Sequence, residues 1–108
     1  MKSNRKKGDK GERRAAKKYG GSMKPGSGSI WVHKGDVSTD EEVRGYKGLH
    51  IQNKVTDRKS FSLSYDKFKA NLTEAMVDDR MPIFRVEFTG RDTVIMIPEW
   101  LFESLLEE

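Results

Sequence analysis

A chain of 108 residues is expected to form one domain, and 21 Lys/Arg against 17 Asp/Glu leave it a net charge of +4. Charged residues (35%) are as frequent as hydrophobic ones (34%), so part of the chain is expected to be arm or loop rather than core. The absence of cysteine excludes disulfides, thiolate zinc sites and cysteine nucleophiles.

In chain order, Met1 to about Lys7 has almost no apolar content, which divides the chain into a basic flexible arm over 1–8 and a single domain over 9–108. From Asp9 or Lys10 to Tyr19 the residues favour helix, with Ala15, Ala16 and Tyr19 able to face a core and Gly20-Gly21 as the stop. Ser22–Ser29 reads as a Gly/Ser/Pro/Lys loop. Ile30–His33 reads as a strand, followed by a turn at Lys34-Gly35 and a partner or continuing strand at Asp36–Ser38. Thr39–Gly45 is acidic and polar, a turn or loop. Tyr46–Thr56 reads as the next strand, weakened in its first half by Gly48.

Ser64–Asp79 carries the strongest helical signal, with Phe68, Leu72 and Met76 every four residues and Tyr65, Ala70 and Ala75 filling out the stripe. Ile83–Phe88 alternates with period two, Thr89–Asp92 is a turn, and Thr93–Ile97 completes a hairpin. Pro98-Glu99 opens a last helix, which Trp100, Leu101, Leu105 and Leu106 are expected to pack down. The order α-β-β-β-α-β-β-α implies an α/β (α+β) fold, a mixed β-sheet flanked by helices.

Charge is distributed unevenly. Residues 1–59 hold 16 Lys/Arg and 7 Asp/Glu, a net of +9, whereas residues 60–108 hold 5 and 10, a net of −5. A basic half points to a polyanionic partner, with a lysine-rich tail on a soluble protein as the plainer alternative. No apolar run approaches the length of a membrane span, and the basic N-terminus lacks the apolar stretch of a signal peptide. A soluble, cytoplasmic protein without a membrane partner is therefore expected.

Within the basic half, Asp36 ends one short apolar run, while Gln52 and Lys54 stand two apart on another. Residues i and i+2 of a strand project to one face, so pairing of the two runs would bring together an anionic ligand, a neutral oxygen ligand and a cation. Phosphodiester hydrolysis uses such a set, with a divalent metal to polarise the phosphoryl group and a cation beside the developing charge. A turn aspartate and a snorkelling lysine on an edge strand are the plain alternatives. The Ser22–Ser29 loop, with Lys24, offers N–H groups and hydroxyls to a phosphate, but no Gly-Lys-Ser/Thr follows, so no nucleotide cofactor is indicated. Thr56, Arg58, Lys59 and Ser60 could contact a DNA backbone without reading sequence. His33 and His50 read as packing residues, Trp31 and Trp100 as core.

Four segments, Lys10-Gly11-Glu12-Arg13, Pro25-Gly26-Ser27-Gly28, Lys34-Gly35-Asp36-Val37 and Gln52-Asn53-Lys54-Val55-Thr56, follow in the order of the PD-(D/E)XK nuclease superfamily. The chain most resembles its small archaeal and phage Holliday-junction-resolving endonucleases, over roughly residues 8–88. The resemblance implies a restriction-endonuclease-like core, with the hairpin and helix of 83–108 partly outside it. It also implies that Asp36 is a direct metal ligand, with Gly35 replacing the motif proline, and that Lys54 activates the attacking water and steadies the phosphorane. Gln52 stands where the family usually has Glu or Asp. Its amide oxygen can still ligate Mg²⁺ or Mn²⁺, at the loss of one charge. The Asn53 carbonyl would be a further ligand, and Glu12 on the first helix would reach the metal directly or through water. Ser27, with Ser29 in reserve, would sit near the site, and Lys24 and Lys34 would contact DNA. The implied activity is Mg²⁺-dependent cleavage of branched DNA by a C2 homodimer, in the cytoplasm, or the host cytoplasm if phage-encoded. The alternatives are another nicking, restriction-like or repair nuclease of the superfamily and a catalytically inactive DNA-binding module. A ribosomal or RNA-binding protein fits the basic arm but lacks the aromatic-rich strand of common RNA readers.

Overall fold

Parallel strands need a long crossover, and the 13-residue helix that Phe68, Leu72 and Ala75 anchor supplies it. The computed structural model describes residues 2–20, 22–23 and 36–107, and the side chains of 10–20 and 37–107. Its elements are α1 (Lys2–Tyr19), β1 (Ser22–Met23), β2 (Asp36–Ser38), β3 (Leu49–Thr56), α2 (Tyr65–Val77), β4 (Met81–Phe88), β5 (Thr93–Met96) and α3 (Glu99–Leu106). One five-stranded mixed sheet runs β1-β2-β3-β4-β5. Only β3 and β4 are parallel, in register from Leu49–Met81 to Thr56–Phe88.

Each face of the sheet has its own helix. Val37 and Ile51 bury completely with Ala15 of α1, and Ala16, Tyr19, Leu49 and Ile83 pack around them. On the other face the Phe68 ring of α2 lies 6.4 Å from Phe84, and His50 Nε2 lies 3.5 Å from a Glu74 carboxylate oxygen. Because β4 lies between the two helical layers it is buried on both sides, and the expected period-two exposure is not seen. Ser64 caps α2 by accepting from the Lys67 N–H at 3.1 Å. The Arg44 guanidinium donates to the Leu105 and Glu107 carbonyls at the end of α3.

At the N-terminal end of β3 the backbone closes tightly. The Thr39 N–H donates to the Leu49 carbonyl at 3.0 Å, and its hydroxyl accepts from the Leu49 N–H at 2.8 Å. A β-carbon on Gly48 would lie 1.8 Å from the Thr39 carbonyl oxygen, so glycine is required there by close approach. Buried Arg80 ties the corner, its Nε donating to the Thr39 carbonyl at 3.0 Å while its guanidinium pairs with Asp40 and Asp78.

Several expectations are corrected. The helix starts at Lys2, well before Asp9, because Lys and Arg are good helix formers and nothing in Lys2–Lys7 breaks a helix. Ser22 and Met23 leave the expected loop to pair with Ser38 and Val37, while the expected strand Ile30–His33 and the turn at Lys34-Gly35 lie outside the described residues. Gly20 ends α1 with φ +70°, as a C-terminal stop should. β3 starts at Leu49, since Tyr46 instead bridges Val43 across the left-handed pair Arg44-Gly45. The buried face of α2 is rotated from the expected stripe. Asn71 and Ala75 are buried, whereas Tyr65, Ala70 and Met76 are exposed. Leu101 is fully buried and Leu105 half-buried, but Trp100 is 45% exposed and so is not core, and Leu106 is exposed. Trp31 and His33 lie outside the described residues. His50 is buried, as a packing residue would be. Among the described residues no helix is long and apolar enough to cross a membrane.

Candidate functional site

β2 and β3 pair antiparallel with Asp36 opposite Gln52, Val37 opposite Ile51 and Ser38 opposite His50. Directly opposed residues share a face, with β-carbons roughly 4.5–5.5 Å apart. The ladder therefore sets Asp36 beside Gln52 on one face, and Lys54, two residues on, shares that face. Val37 and Ile51 between them point the other way and are held by α1, which fixes the register: a slip of one residue would turn both apolar side chains outward. Lys54 is half-buried on an interior strand of the sheet, not on an edge.

Gln52 is only 8% exposed. Residues opposed in this way can between them share a cation whose oxygen bonds are about 2.1 Å long, and a residue pair of one acid and one amide suits Mg²⁺ or Mn²⁺. Asp36–Gln52 is the last described rung with β2, whereas β3 continues to Thr56 against β4. The main chain of Asn53 thus lies just past the described end of β2. No group of three or more His, Asp or Glu side chains is gathered for a metal among the described residues, which leave out the Asp36 side chain.

Glu12 is buried on α1, and α1 covers the sheet face opposite Gln52 and Lys54. For a shared metal its carboxylate would have to reach round the short β1–β2 side of the sheet. The Asn53 side chain also turns to the α1 face, where Asn53 Oδ1 accepts from Arg85 Nη1 at 2.7 Å. Glu87 stands on the same face, bonded by Arg85 and by Arg14 of α1. Burial alone would raise the Glu87 carboxyl, but the hydrogen bonds and charges of Arg14 and Arg85 outweigh it and hold it below its ordinary value. The Arg14 guanidinium is correspondingly raised, chiefly by its hydrogen bond to Glu87. This cluster locks α1 to the strands whose other face bears the candidate site.

Beyond the end of β3 the chain forms a polar groove of about 530 Å³, lined by Lys54, Thr56, Arg58 and Ser60 together with Asp57 and Ser62. Thr56 Oγ1 accepts from the Arg58 N–H at 3.1 Å, which sets the turn. Three of the expected phosphate contacts thus share one concavity with Lys54, whereas Lys59 is exposed and is not in that lining. The C-terminal ends of parallel strands are where open α/β sheets usually bind ligands. Lys24, Ser27, Ser29 and Lys34 lie outside the described residues.

A second cavity, of about 400 Å³, lies between β3 and α2 and also has Lys54 and Phe61 in its lining. Gln52, Asn71 and Phe84 are its buried members, Leu63 and Glu74 are half-buried, and Lys67 and Ala70 are exposed. The sequence reading missed this cavity, although a signal was present: Lys67, Asn71 and Glu74 recur at i, i+4 and i+7, a polar stripe beside the apolar one. No known family model, curated protein or solved structure matches this chain.

Proposed function

We propose that the protein is a metal-dependent, structure-selective DNA endonuclease with a restriction-endonuclease-like core, resolving branched DNA such as four-way junctions. The observation that carries this reading is the register of Asp36 on Gln52, with Lys54 on the same face and the basic, hydroxyl-rich groove continuing from it. Asp36, Gln52 and the Asn53 carbonyl would hold one or two Mg²⁺, with Mn²⁺ as a substitute, and Glu12 would join them only by reaching round the β1–β2 side of the sheet. When bound, such an ion lowers the pKa of water and polarises the phosphoryl oxygen. The Lys54 ammonium faces the phosphate and steadies the charge that gathers on its oxygens. Thr56 and Arg58 hold the neighbouring phosphate, with Lys59, Lys24, Lys34, Ser27 and Ser29 as outer contacts, none of which reads a base edge.

Two nicks on a two-fold substrate call for a C2 homodimer. Its support is the exposed apolar surface on the terminal strand β5 and on α3, where Ile95, Trp100 and Phe102 are each about half exposed. A second reading, a DNA-binding module without catalysis, is favoured by the position of Glu12 on the opposite helical layer, away from the face that bears Gln52 and Lys54.

The deciding experiment is cleavage of a labelled synthetic four-way junction and a matched linear duplex in Mg²⁺, Mn²⁺ or EDTA, with Asp36→Asn and Lys54→Ala in parallel. Paired symmetric nicks on the junction alone, lost in EDTA and in both variants while binding survives, are the expected result. Equal cutting of the duplex would remove junction selectivity, and binding without cutting in either metal would establish the non-catalytic module. Unchanged turnover in either variant would remove the site assignment.

A further inference from the structure

We propose that the cavity under α2 receives one nucleobase, unstacked from the strand whose phosphate occupies the adjoining groove. This rests on the nuclease reading of Lys54 and the groove. It narrows the substrate class to branched DNA with an unpaired or extrudable nucleotide beside the scissile phosphate.

Three observations carry it. The cavity and the groove are contiguous, since Lys54 and Phe61 belong to both linings. A nucleotide whose phosphate meets the Lys54 ammonium has its base within reach of the cavity. The cavity also has flat apolar walls at small-molecule scale. The rings of Phe61 and Phe84 stand 6.0 Å apart, tilted by 50°, and about 400 Å³ falls in the range of roughly 300–1,000 Å³ typical of small-ligand sites. Every base has a π-face to lay against such a wall.

The third observation is Asn71, a cavity-lining residue only 4% exposed, whose Oδ1 is buried with no hydrogen-bond partner among the described residues. A buried acceptor left unsatisfied is costly, and native structures normally supply it with a donor. All four bases carry an N–H donor on their pairing edge, so one carboxamide, once its buried oxygen turns towards the cavity, can receive any of them. Base capture would thus fit a nuclease that selects structure rather than sequence. A water could satisfy Asn71 alone, but it would make no use of the apolar wall that Phe61 offers beside buried Phe84. At the mouth, exposed Ala70 leaves the opening clear where a larger side chain on the same helical face would close it.

The test uses the full chain and a four-way junction carrying 2-aminopurine at successive positions around the branch, read in EDTA so that no cutting is needed. With the wild-type protein the emission should rise at one position in each strand, and Ala70→Trp and Asn71→Leu should abolish the rise. Ala70→Trp should also weaken junction binding on the order of tenfold, as expected for one lost base–aromatic stack. An abasic nucleotide at the responding position should erase that difference between wild type and variant. A bound junction with flat emission everywhere, or a rise that survives Ala70→Trp, overturns the inference. Cutting in Mg²⁺ together with flat emission leaves the nuclease reading standing without the base cavity. An Ala70-dependent rise without cutting in either metal does the reverse. A junction that is not bound at all overturns both. Free dAMP supplies the last arm: if it shifts the Asn71 side-chain amide resonances while the junction does not, the cavity serves a free nucleotide and the inference falls.

Discussion

Gly11 sits so close to Asn53 that a β-carbon on it would lie 2.6 Å from Asn53 Nδ2, and 2.4 Å from a methyl of Val55. Gly11 is a helical residue, and replacing glycine by alanine in a helix normally stabilises by about 1 kcal/mol. Here the added methyl meets a β-branched residue and a buried amide, neither of which is a long flexible tip. Overpacking of that kind costs roughly 1–3 kcal/mol. Gly11→Ala is therefore expected to lower stability despite its better helix propensity, measured as a lower urea midpoint with an unchanged slope. A raised midpoint would mean that α1 stands further from the sheet than described.

The Arg14–Glu87–Arg85 cluster predicts an acid limb. Glu87 titrates below its ordinary value of 4.5 when folded, so on acidification the unfolded chain takes up this proton first. Its stabilisation is complete above the ordinary value and is lost as pH falls through the lower folded value. Denaturation midpoints followed from pH 7 downward should be flat and then drop below about pH 4.5, and Glu87→Gln should shrink that drop while lowering stability at neutral pH. An acid limb of the same size in Glu87→Gln would assign it to other carboxylates.

The frame was legible in the sequence wherever hydrophobic period and turn chemistry agree. The glycine stop after Tyr19 and the hairpin through Gly90 depend on local backbone rules and were legible from them, whereas the first strand of the sheet, Ser22–Met23, fell within an expected loop. Asp36, Gln52 and Lys54 could be set on one face because parity along a strand is a local property, while their cross-strand alignment needed the pairing. What was not legible depended on the tertiary environment. The stripe Phe68-Leu72-Met76 has the right period, but which side of α2 meets the sheet is decided by the crossover geometry, which buries Asn71 and leaves Met76 out. Arg85 and Glu87 read as the polar half of an alternating strand, whereas they are buried and paired because α1 covers that face too. Glu12 was joined to the site by resemblance, and only packing reveals which sheet face its helix covers.

Asn71 supplies a prediction in which stability and function part. Its buried Oδ1 contributes no hydrogen bond within the described protein, so replacing the side chain with a similarly sized apolar one removes a desolvated acceptor at little packing cost. Asn71→Leu is expected to leave stability unchanged or to raise it by about 1 kcal/mol, read as an equal or higher thermal midpoint. A fall of several degrees would mean that the carboxamide holds the fold together, and would assign Asn71 a structural role.

Gln52→Glu tests the metal assignment with a readout independent of cleavage. It would put a second carboxylate directly opposite Asp36, at the separation of adjacent strands, on a residue that is 8% exposed. Without a divalent ion the two carboxylates repel in a site poor in water, so one is driven towards its neutral form and the fold is weakened. With an ion between them the same pair becomes the stronger ligand set. The variant should therefore melt below wild type in EDTA and gain more than wild type from added Mg²⁺. A gain of about 2.7 kcal/mol would correspond to an ion present at about a hundred times its dissociation constant. The Mg²⁺ concentration for half-maximal junction cutting should fall alongside. If wild type and Gln52→Glu respond to Mg²⁺ equally, no ion sits between residues 36 and 52, and the cross-strand pair is a structural contact in a binding module.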